Sequence, residues 1–236
     1  MAGSVATMVQ EALQIAKSGQ GGYVCTANVH MVTTARRDER LRRIMEEADL
    51  VMADGLPLVW VLRQRGFKDP ERVTGTDLTL QFCEIAANDR MPVYFYGGSS
   101  ETIVRLKKFM GKRFPSLQAF YESPPLLSEQ PAVDSDVVSR IRASGSRIVF
   151  VGLGCPKQEF WMAAYTPHLP ALLIGVGAVF DFLAGTCPRA PVWMQKLGLE
   201  WLHRLATQPR KTWRRYATTN PVFVWHVLKE YFGARK

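Results

Sequence analysis

An aspartate at the end of an apolar segment is the residue of this chain best suited to acid–base chemistry. Asp54 closes the run LVMAD and is followed by Gly55, where the chain can turn tightly. A carboxylate at such a position can act as a general base if burial raises its pKa toward neutrality. The alternative is structural, because the same aspartate could cap a helix that begins at Leu56. The residues alone leave both interpretations open.

Two glycine-rich turns are candidates for binding phosphate. The segments YGGSS, from Tyr96, and GLGCPKQE, from Gly152, could present backbone amides to an anion at the start of a helix. Neither is a Walker A loop, and the second lacks the third glycine of the dinucleotide fingerprint and has Lys157 instead. Each turn is by itself a weak indication of a phosphate site. The candidate binding residues in the two turns are Gly97 and Gly152.

Other polar side chains extend this set, but none of them predicts a metal site. Arg72, in ERVTGTD, could meet a diphosphate, although a solvated surface charge is the commoner role of a single arginine. Asp49 and Asp54 do not resemble a DxD metal site, and the four histidines show no metal-ligand spacing. The remaining candidates follow predicted strands and are Thr26, Asn28, Gln158 and Asp181.

Strand-like apolar runs alternate with helical patterns and would bring these residues together. This alternation predicts an α/β fold, a Rossmann-like, mostly parallel sheet flanked by helices on both faces. Ligands of such sheets bind beyond the carboxyl ends of the strands, so the polar residues that follow each strand should share one edge. The predicted strands are Tyr23–Ala27, Leu50–Ala53, Val93–Tyr96, the weaker Leu117–Tyr121, Arg147–Val151 and Leu172–Val176.

Composition limits the class and the compartment of the protein. With 236 residues and 47% apolar side chains, the chain can bury a substantial core. Its four cysteines are far apart and show no CxxC spacing, which suits a reducing cytosol. No signal peptide is recognised at residues 1–20, and the longest apolar run, Ala171–Phe180, has ten residues and is too short to cross a bilayer. We therefore expect a soluble or peripheral protein.

Charge and tryptophan are concentrated in the last part of the chain. Residues 186–236 hold ten Lys or Arg and two acids, which gives +8 of the total charge of +9, together with four of the six tryptophans. We therefore predict an α/β domain at residues 1–185 and a basic helical appendage at residues 186–236. Trp193 to Leu205 carry one helical apolar stripe, Pro209 interrupts or restarts the helix, and Pro221–Phe232 forms a second short amphipathic helix. The stripes either pack on the core or face a membrane or a partner.

Seven segments, in order, resemble the WecG/TagA/CpsF family of bacterial glycosyltransferases. They run through nearly the whole chain and are TANVHMV, ADLVMADGLPLVW, ERVTGTDL, VYFYGG, VGLGCPKQE, GVGAVFDFLAG and RAPVWMQKLGLEWLHRLATQPRKTWRRY. The resemblance implies an inverting, metal-independent transfer of a hexose from a UDP-sugar to a polyprenyl-diphosphate-linked saccharide. The hexose would be N-acetylmannosamine, its uronic acid or glucose. The reaction would take place at the inner face of the cell membrane, in the synthesis of cell-surface polysaccharide.

The resemblance also implies a role for the candidate residues of the sheet edge. Asp54 matches the proposed base that deprotonates the acceptor hydroxyl, and Thr26 and Asn28 match residues that line the pocket near it. Arg72 matches a basic residue thought to hold diphosphate, and Gln158 matches a pocket residue near the donor sugar.

In the appendage, the resemblance implies closure over the active site at the membrane. Arg204, Arg210 and Arg214 lie in this segment, and one of them would stabilise the leaving UDP. Asp181 lies in the motif on the nucleotide side. No cofactor is implied. The expected partners are the UDP-sugar, the lipid-linked acceptor, an anionic membrane and a second copy of the chain in a homo-oligomer.

Two other classes of protein compete with this interpretation. A basic tail also suits a nucleic-acid-binding module, but its arginines are mixed with an apolar stripe and no nucleic-acid motif is present. A nicotinamide-dependent oxidoreductase would use a similar sheet, but the glycine fingerprint is incomplete. The expectation from the sequence is therefore a glycosyltransferase that binds no nucleic acid.

Overall fold

Six parallel strands form one sheet, so the predicted α/β fold is confirmed. The structure, a computed structural model, describes residues 4–233. The strands follow the order β2-β1-β6-β5-β3-β4 across the sheet, and every neighbouring pair is parallel. Their carboxyl ends therefore lie at one edge. The strands are β1 Gly22–Ala27, β2 Leu50–Ala53, β3 Val93–Gly97, β4 Ala119–Glu122, β5 Ile148–Gly152 and β6 Leu172–Gly175.

Helices connect the strands and cover both faces of the sheet. Side chains that accept backbone N–H bonds cap several of their amino-terminal ends. Up to the end of the sheet, the helices are α1 Val5–Ser18, α2 Val29–Ala35, α3 Glu39–Glu47, α4 Leu56–Gln64, α5 Gly75–Asn88, α6 Ser100–Arg113, α7 Ser135–Ala143, α8 Lys157–Tyr165 and α9 Val179–Leu183.

The core has one apolar cluster on each face of the sheet. Because side chains alternate along a strand, Ile148 and Phe150 of β5 join one cluster and Val149 and Val151 join the other. Helices α1, α5, α6 and α9 pack in the first cluster, and α2, α4, α7 and α8 pack in the second. Strand β1 is buried along its whole length. Such burial on both faces explains why the strands read as continuous apolar runs.

The basic appendage differs from its predicted helices in two ways. The predicted stripe from Trp193 to Leu205 is divided between α10, Val192–Lys196, and α11, Glu200–Thr207. Gly198, with a φ of +73°, turns the chain between them, which a single helix cannot accommodate. Helix α12, Pro209–Gly233, begins at Pro209 as expected and then continues through Pro221, so no separate second helix starts there.

Helix α12 packs along α2 and α11, whereas much of the apolar stripe stays exposed. Trp193 and Leu197 are each 59% exposed and Trp201 is 39% exposed, so these side chains do not pack in the core. The division of the chain at residue 185 stays a prediction. Arg235 and Lys236 lie outside the described residues. None of the helices found within residues 4–233 has both the length and the apolar character that crossing a bilayer requires.

Candidate active site

A cavity of about 720 Å³ opens at the carboxyl edge of the sheet, between the sheet and the appendage. It lies beyond β1, β2, β5 and β6, as expected for a ligand site of a parallel sheet. Its volume is in the usual range of small-molecule sites. Eight of the predicted site residues line it, namely Thr26, Asn28, Asp54, Arg72, Gly152, Gln158, Asp181 and Arg204. Gly97, Arg210 and Arg214 are not among the lining residues.

Asp54 lies at the inner end of this cavity and does not cap α4. Gly55 holds the cap position of that helix, and no side chain bonds there. The Asp54 amide instead donates to the Ala27 carbonyl at 2.8 Å, which fixes the chain to the end of β1. Its Oδ1 accepts a long hydrogen bond of 3.4 Å from the Gly75 amide. The structural alternative considered for this aspartate is therefore wrong.

The surroundings of Asp54 raise its pKa to about 7 from an ordinary value of 3.8. Burial is the largest cause, because a charged carboxylate is poorly solvated in the cavity wall. The charge of Glu200 also raises the pKa, whereas the charge of Arg72 and the Gly75 amide lower it. A carboxyl group with this pKa can accept a proton near neutral pH, as a general base must.

Arg72 connects the loop that holds Asp54 to the appendage. Its Nε donates to the Asp54 carbonyl at 2.9 Å, and its Nη1 donates to the Gln195 carbonyl at 3.0 Å. Its Nη2 forms an ion pair with Glu200. The side chain is only 15% exposed, so the proposed role as a diphosphate ligand requires it to exchange protein partners for the ligand.

Thr26 and Asn28 have structural bonds as well as positions in the cavity wall. The Thr26 hydroxyl donates to the Gly175 carbonyl at 2.5 Å, across the β1–β6 pair. The Asn28 Oδ1 accepts from the Met31 amide at 3.1 Å and so caps α2. Both side chains are thereby held at the carboxyl end of β1, beside the end of β2, where Ala27 pairs with Ala53 and Asp54 follows.

Gln158, in the cavity wall, is held by two partners. Its Oε1 accepts from the Gly177 amide at 2.9 Å, and its Nε2 donates to the Glu159 Oε1 at 2.7 Å. Because the Gly177 N–H can only donate, the Gln158 Oε1 must face it, which fixes the orientation of the Gln158 amide. Glu159 is fully buried, and burial raises its pKa to about 7. The sequence analysis missed Glu159, although an acid directly after a strand-to-helix turn was a visible signal.

The two glycine-rich turns serve close packing of the chain. Gly97 has a φ of +131°, and a side chain there would come within 2.5 Å of the Gly152 carbonyl oxygen. A side chain at Gly152 would meet the ring of Phe180 at 2.6 Å. Asp181, in α9, accepts from the Thr102 hydroxyl at 3.0 Å. These contacts explain the glycines without a ligand, and binding by them stays a prediction.

Two arginines of the appendage turn into the cavity. Arg204 lies over the Phe182 ring at 5.4 Å, and Arg215 lies over the Tyr216 ring at 4.8 Å. In each of them the Nε is buried and has no hydrogen-bond partner among residues 4–233. Unfilled N–H donors of this kind suit an anionic ligand, because arginine binds phosphate oxygens through several donors at once.

The sequence analysis missed Arg215 and chose its neighbour instead. Arg214 and Arg210 are exposed on the outer surface of α12. Arg215 shares the inner surface of this helix with Thr212 and Thr219, which are 2% and 5% exposed. The helical period could have separated the two arginines, but only if the buried side of α12 had been known.

His30, opposite Arg215, lines the cavity as a neutral group. Burial, and after it the charge of Arg215, lowers its pKa from 6.5 to about 4. Its imidazole therefore adds no positive charge near neutral pH. The cavity thus combines a carboxyl group that can accept a proton with arginine donors for an anion. This combination suits the transfer of a group from a phosphorylated donor to a hydroxyl.

Comparison with known proteins identifies the family. The sequence profile described as the glycosyl transferase WecG/TagA/CpsF family matches residues 2–236. One relative, from Bacillus spizizenii strain W23, is named N-acetylglucosaminyldiphosphoundecaprenol N-acetyl-beta-D-mannosaminyltransferase. It is 31% identical over 211 residues, which cover 89% of this chain and 80% of the relative. The profile matches nearly the whole of this chain, which confirms the predicted resemblance. The chain therefore belongs to the WecG/TagA/CpsF family of glycosyltransferases.

Proposed function

We propose that the protein transfers N-acetylmannosamine from a UDP-sugar to N-acetylglucosamine carried on a polyprenyl diphosphate, in the synthesis of cell-surface polysaccharide. The carrying observation is the partly buried Asp54, with a pKa of about 7, in one cavity with two arginines that have unfilled donors. The name of the Bacillus relative supports this sugar and acceptor among the candidates. Family membership also favours a glycosyltransferase over a nicotinamide-dependent oxidoreductase or a nucleic-acid-binding module.

In this proposal Asp54 activates the acceptor in a single displacement with inversion. The Asp54 carboxylate takes the proton of the acceptor hydroxyl while the oxygen forms a bond to the anomeric carbon of the donor. The bond from that carbon to the diphosphate oxygen breaks, and the electron pair leaves with UDP. A base with a pKa near the working pH is partly ionised and still basic enough to take the proton. Thr26 and Asn28 line the same end of the cavity.

In this proposal the arginines stabilise the negative charge that develops on the leaving diphosphate. Arg204 and Arg215 are partly exposed side chains of the cavity wall, and each has a buried Nε donor, which acts more strongly there than in water. They would perform the task that a metal ion performs in many UDP-sugar enzymes, so we propose a metal-independent reaction. Arg72 and Gln158 are proposed to hold the substrates, after ligand binding displaces some of their present partners.

The appendage is proposed to contact the inner face of the cell membrane, with the protein otherwise in the cytoplasm. Its +8 charge suits anionic lipid, and its exposed tryptophans suit the interfacial region. Trp193, Trp213 and Trp225 are 59%, 57% and 66% exposed. A homo-oligomer that pairs these apolar surfaces is the competing use of the same residues, and sedimentation with and without anionic vesicles separates the two.

The test is UDP release from UDP-N-acetylmannosamine, its uronic acid and UDP-glucose, with a short-chain polyprenyl-diphosphate-N-acetylglucosamine and EDTA present. Acceptor-dependent release with the first donor, lost in Asp54→Asn, is the expected result. Asp69→Asn is the matched control, because Asp69 is exposed and lies outside the cavity. Release that needs no acceptor, or full activity in Asp54→Asn, would contradict the proposal.

A further inference from the structure

The cavity continues away from Asp54 as an apolar groove between α4 and α12. Both walls are made of side chains at helical spacing, so each helix presents one side to the groove. The α4 wall consists of Pro57, Trp60, Val61 and Gln64, and the α12 wall consists of Asn220, Phe223, Val224, Val227 and Leu228.

The two helices are fixed relative to each other at their carboxyl ends. Glu230 of α12 forms an ion pair with Arg65, which follows α4, at 2.6 Å, and approaches Arg36, which follows α2, at 3.7 Å. At the other end, Leu56 lies against Gly198, at the turn between α10 and α11. The groove therefore extends along α4, a helix of nine residues and about 13 Å in length.

The chemistry of the groove changes from its inner end to its outer end. The inner end meets the carboxyl group of Asp54 and the guanidinium of Arg215. The outer end has apolar side chains that are open to solvent, since Trp60 is 51%, Val224 is 53% and Leu228 is 46% exposed. A ligand with a polar, anionic head and a hydrocarbon tail matches this change, because it removes apolar surface from water at one end only.

We propose that this groove binds the first isoprene units of the polyprenyl chain of the acceptor. The inference rests on the proposed function, in which an acceptor hydroxyl reaches Asp54. The chain attached to that acceptor must then leave the cavity, and the groove is an apolar exit that begins at the same aspartate. Beyond the groove, the chain would continue past Trp60 and Val224 toward the lipid surface.

The experiment compares two acceptors that share the diphosphate-N-acetylglucosamine head, one with a single isoprene unit and one with about four. The kcat/KM of each is measured in detergent micelles for the native protein and for Val61→Trp and Val227→Trp, which fill the groove from either wall. Val104→Trp is the matched control, because Val104 of α6 is 69% exposed and lies outside the cavity. Circular dichroism checks that each variant is folded.

In the native protein we expect the longer acceptor to be preferred by at least about tenfold, since burial of two methylene groups is already worth that factor. The preference should fall to less than about threefold in both groove variants and persist in Val104→Trp. The proposal that the groove binds the isoprene units would be overturned if the native protein showed no chain-length preference. It would also be overturned if both groove variants kept that preference. Absence of turnover with every acceptor would contradict the proposed function itself.

Discussion

Replacing Asp54 with asparagine should stabilise the folded protein while it removes most of the activity. The two side chains have nearly the same shape, and the asparagine Oδ1 can still accept from the Gly75 amide. The difference is that asparagine never carries a charge. A carboxylate held in the cavity wall is therefore expected to lower the stability of the native protein, as functional groups in such sites often do.

The size of this effect follows from the pKa of the aspartate. Burial raises that pKa from 3.8 to about 7, and each pKa unit corresponds to about 1.4 kcal/mol. Between these two pH values the folded protein keeps a proton that the unfolded chain has released, so the free energy of unfolding falls as the pH rises. The advantage of Asp54→Asn should grow from about 2 kcal/mol at pH 5 to about 4 kcal/mol at pH 8.

Urea unfolding of both proteins at several pH values between 5 and 8 measures this difference directly. A gain of about 4 kcal/mol corresponds to a midpoint that is more than about 1 M higher in urea at pH 8. Titrating groups that do not interact with Asp54 change both proteins alike and cancel in the comparison. In the same preparations, turnover should fall by about a hundredfold to ten-thousandfold, the usual contribution of a general base.

The pH dependence decides whether the reasoning is correct. A stability gain that is constant from pH 5 to pH 8 would mean that the charge of Asp54 is not the cause. A variant that is less stable than the native protein at pH 8 would mean that the carboxylate is well solvated or well paired where it lies. Either result would remove the physical basis for assigning Asp54 as a base tuned by burial.

Four further results are expected. Arg215→Ala should lower kcat by about a hundredfold and by more than Arg214→Ala does, because only the first residue lines the cavity; UDP release measures both. Glu200→Gln should move the acidic limb of the kcat/KM profile to lower pH. Burial is the largest cause of the raised pKa of Asp54, and the charge of Glu200 raises that pKa as well. Glu159→Gln should raise the urea midpoint more at pH 8 than at pH 5, because burial raises the pKa of Glu159 from 4.5 to about 7. Excess EDTA should leave turnover unchanged, and a loss restored by a divalent cation would contradict the arginine-based mechanism.

The sheet was predictable because its strands are buried on both faces. Continuous apolar runs such as Leu172–Gly175 have no other stable place in a chain of this length, and the helical segments between them require parallel pairing. The edge at which the site lies followed from this topology. The sequence therefore predicts that Asp54 lies near Thr26. It does not decide whether Asp54 is suited to be a base or caps a helix, and that choice needed the structure.

The appendage was harder to predict, because the sequence shows the charge of its arginines but not their direction. Arg214 and Arg215 are neighbours, and the packing of α12 against α2 decides which of them turns inward. The continuation of α12 through Pro221 likewise depends on tertiary contacts that offset the lost hydrogen bond of proline. Glu159 was missed for a related reason, since its position after a strand-to-helix turn is visible in the sequence but its burial is not.

The bonds of Arg72 imply that sheet and appendage are not independent modules for protein engineering. Its guanidinium connects the Asp54 carbonyl to Glu200, and both charges act on the same carboxyl group. A chimera that takes its appendage from another family member would therefore inherit a different pH optimum unless it retained an acid at position 200. An exchange of appendages between family members would therefore have to keep this arginine and this glutamate together.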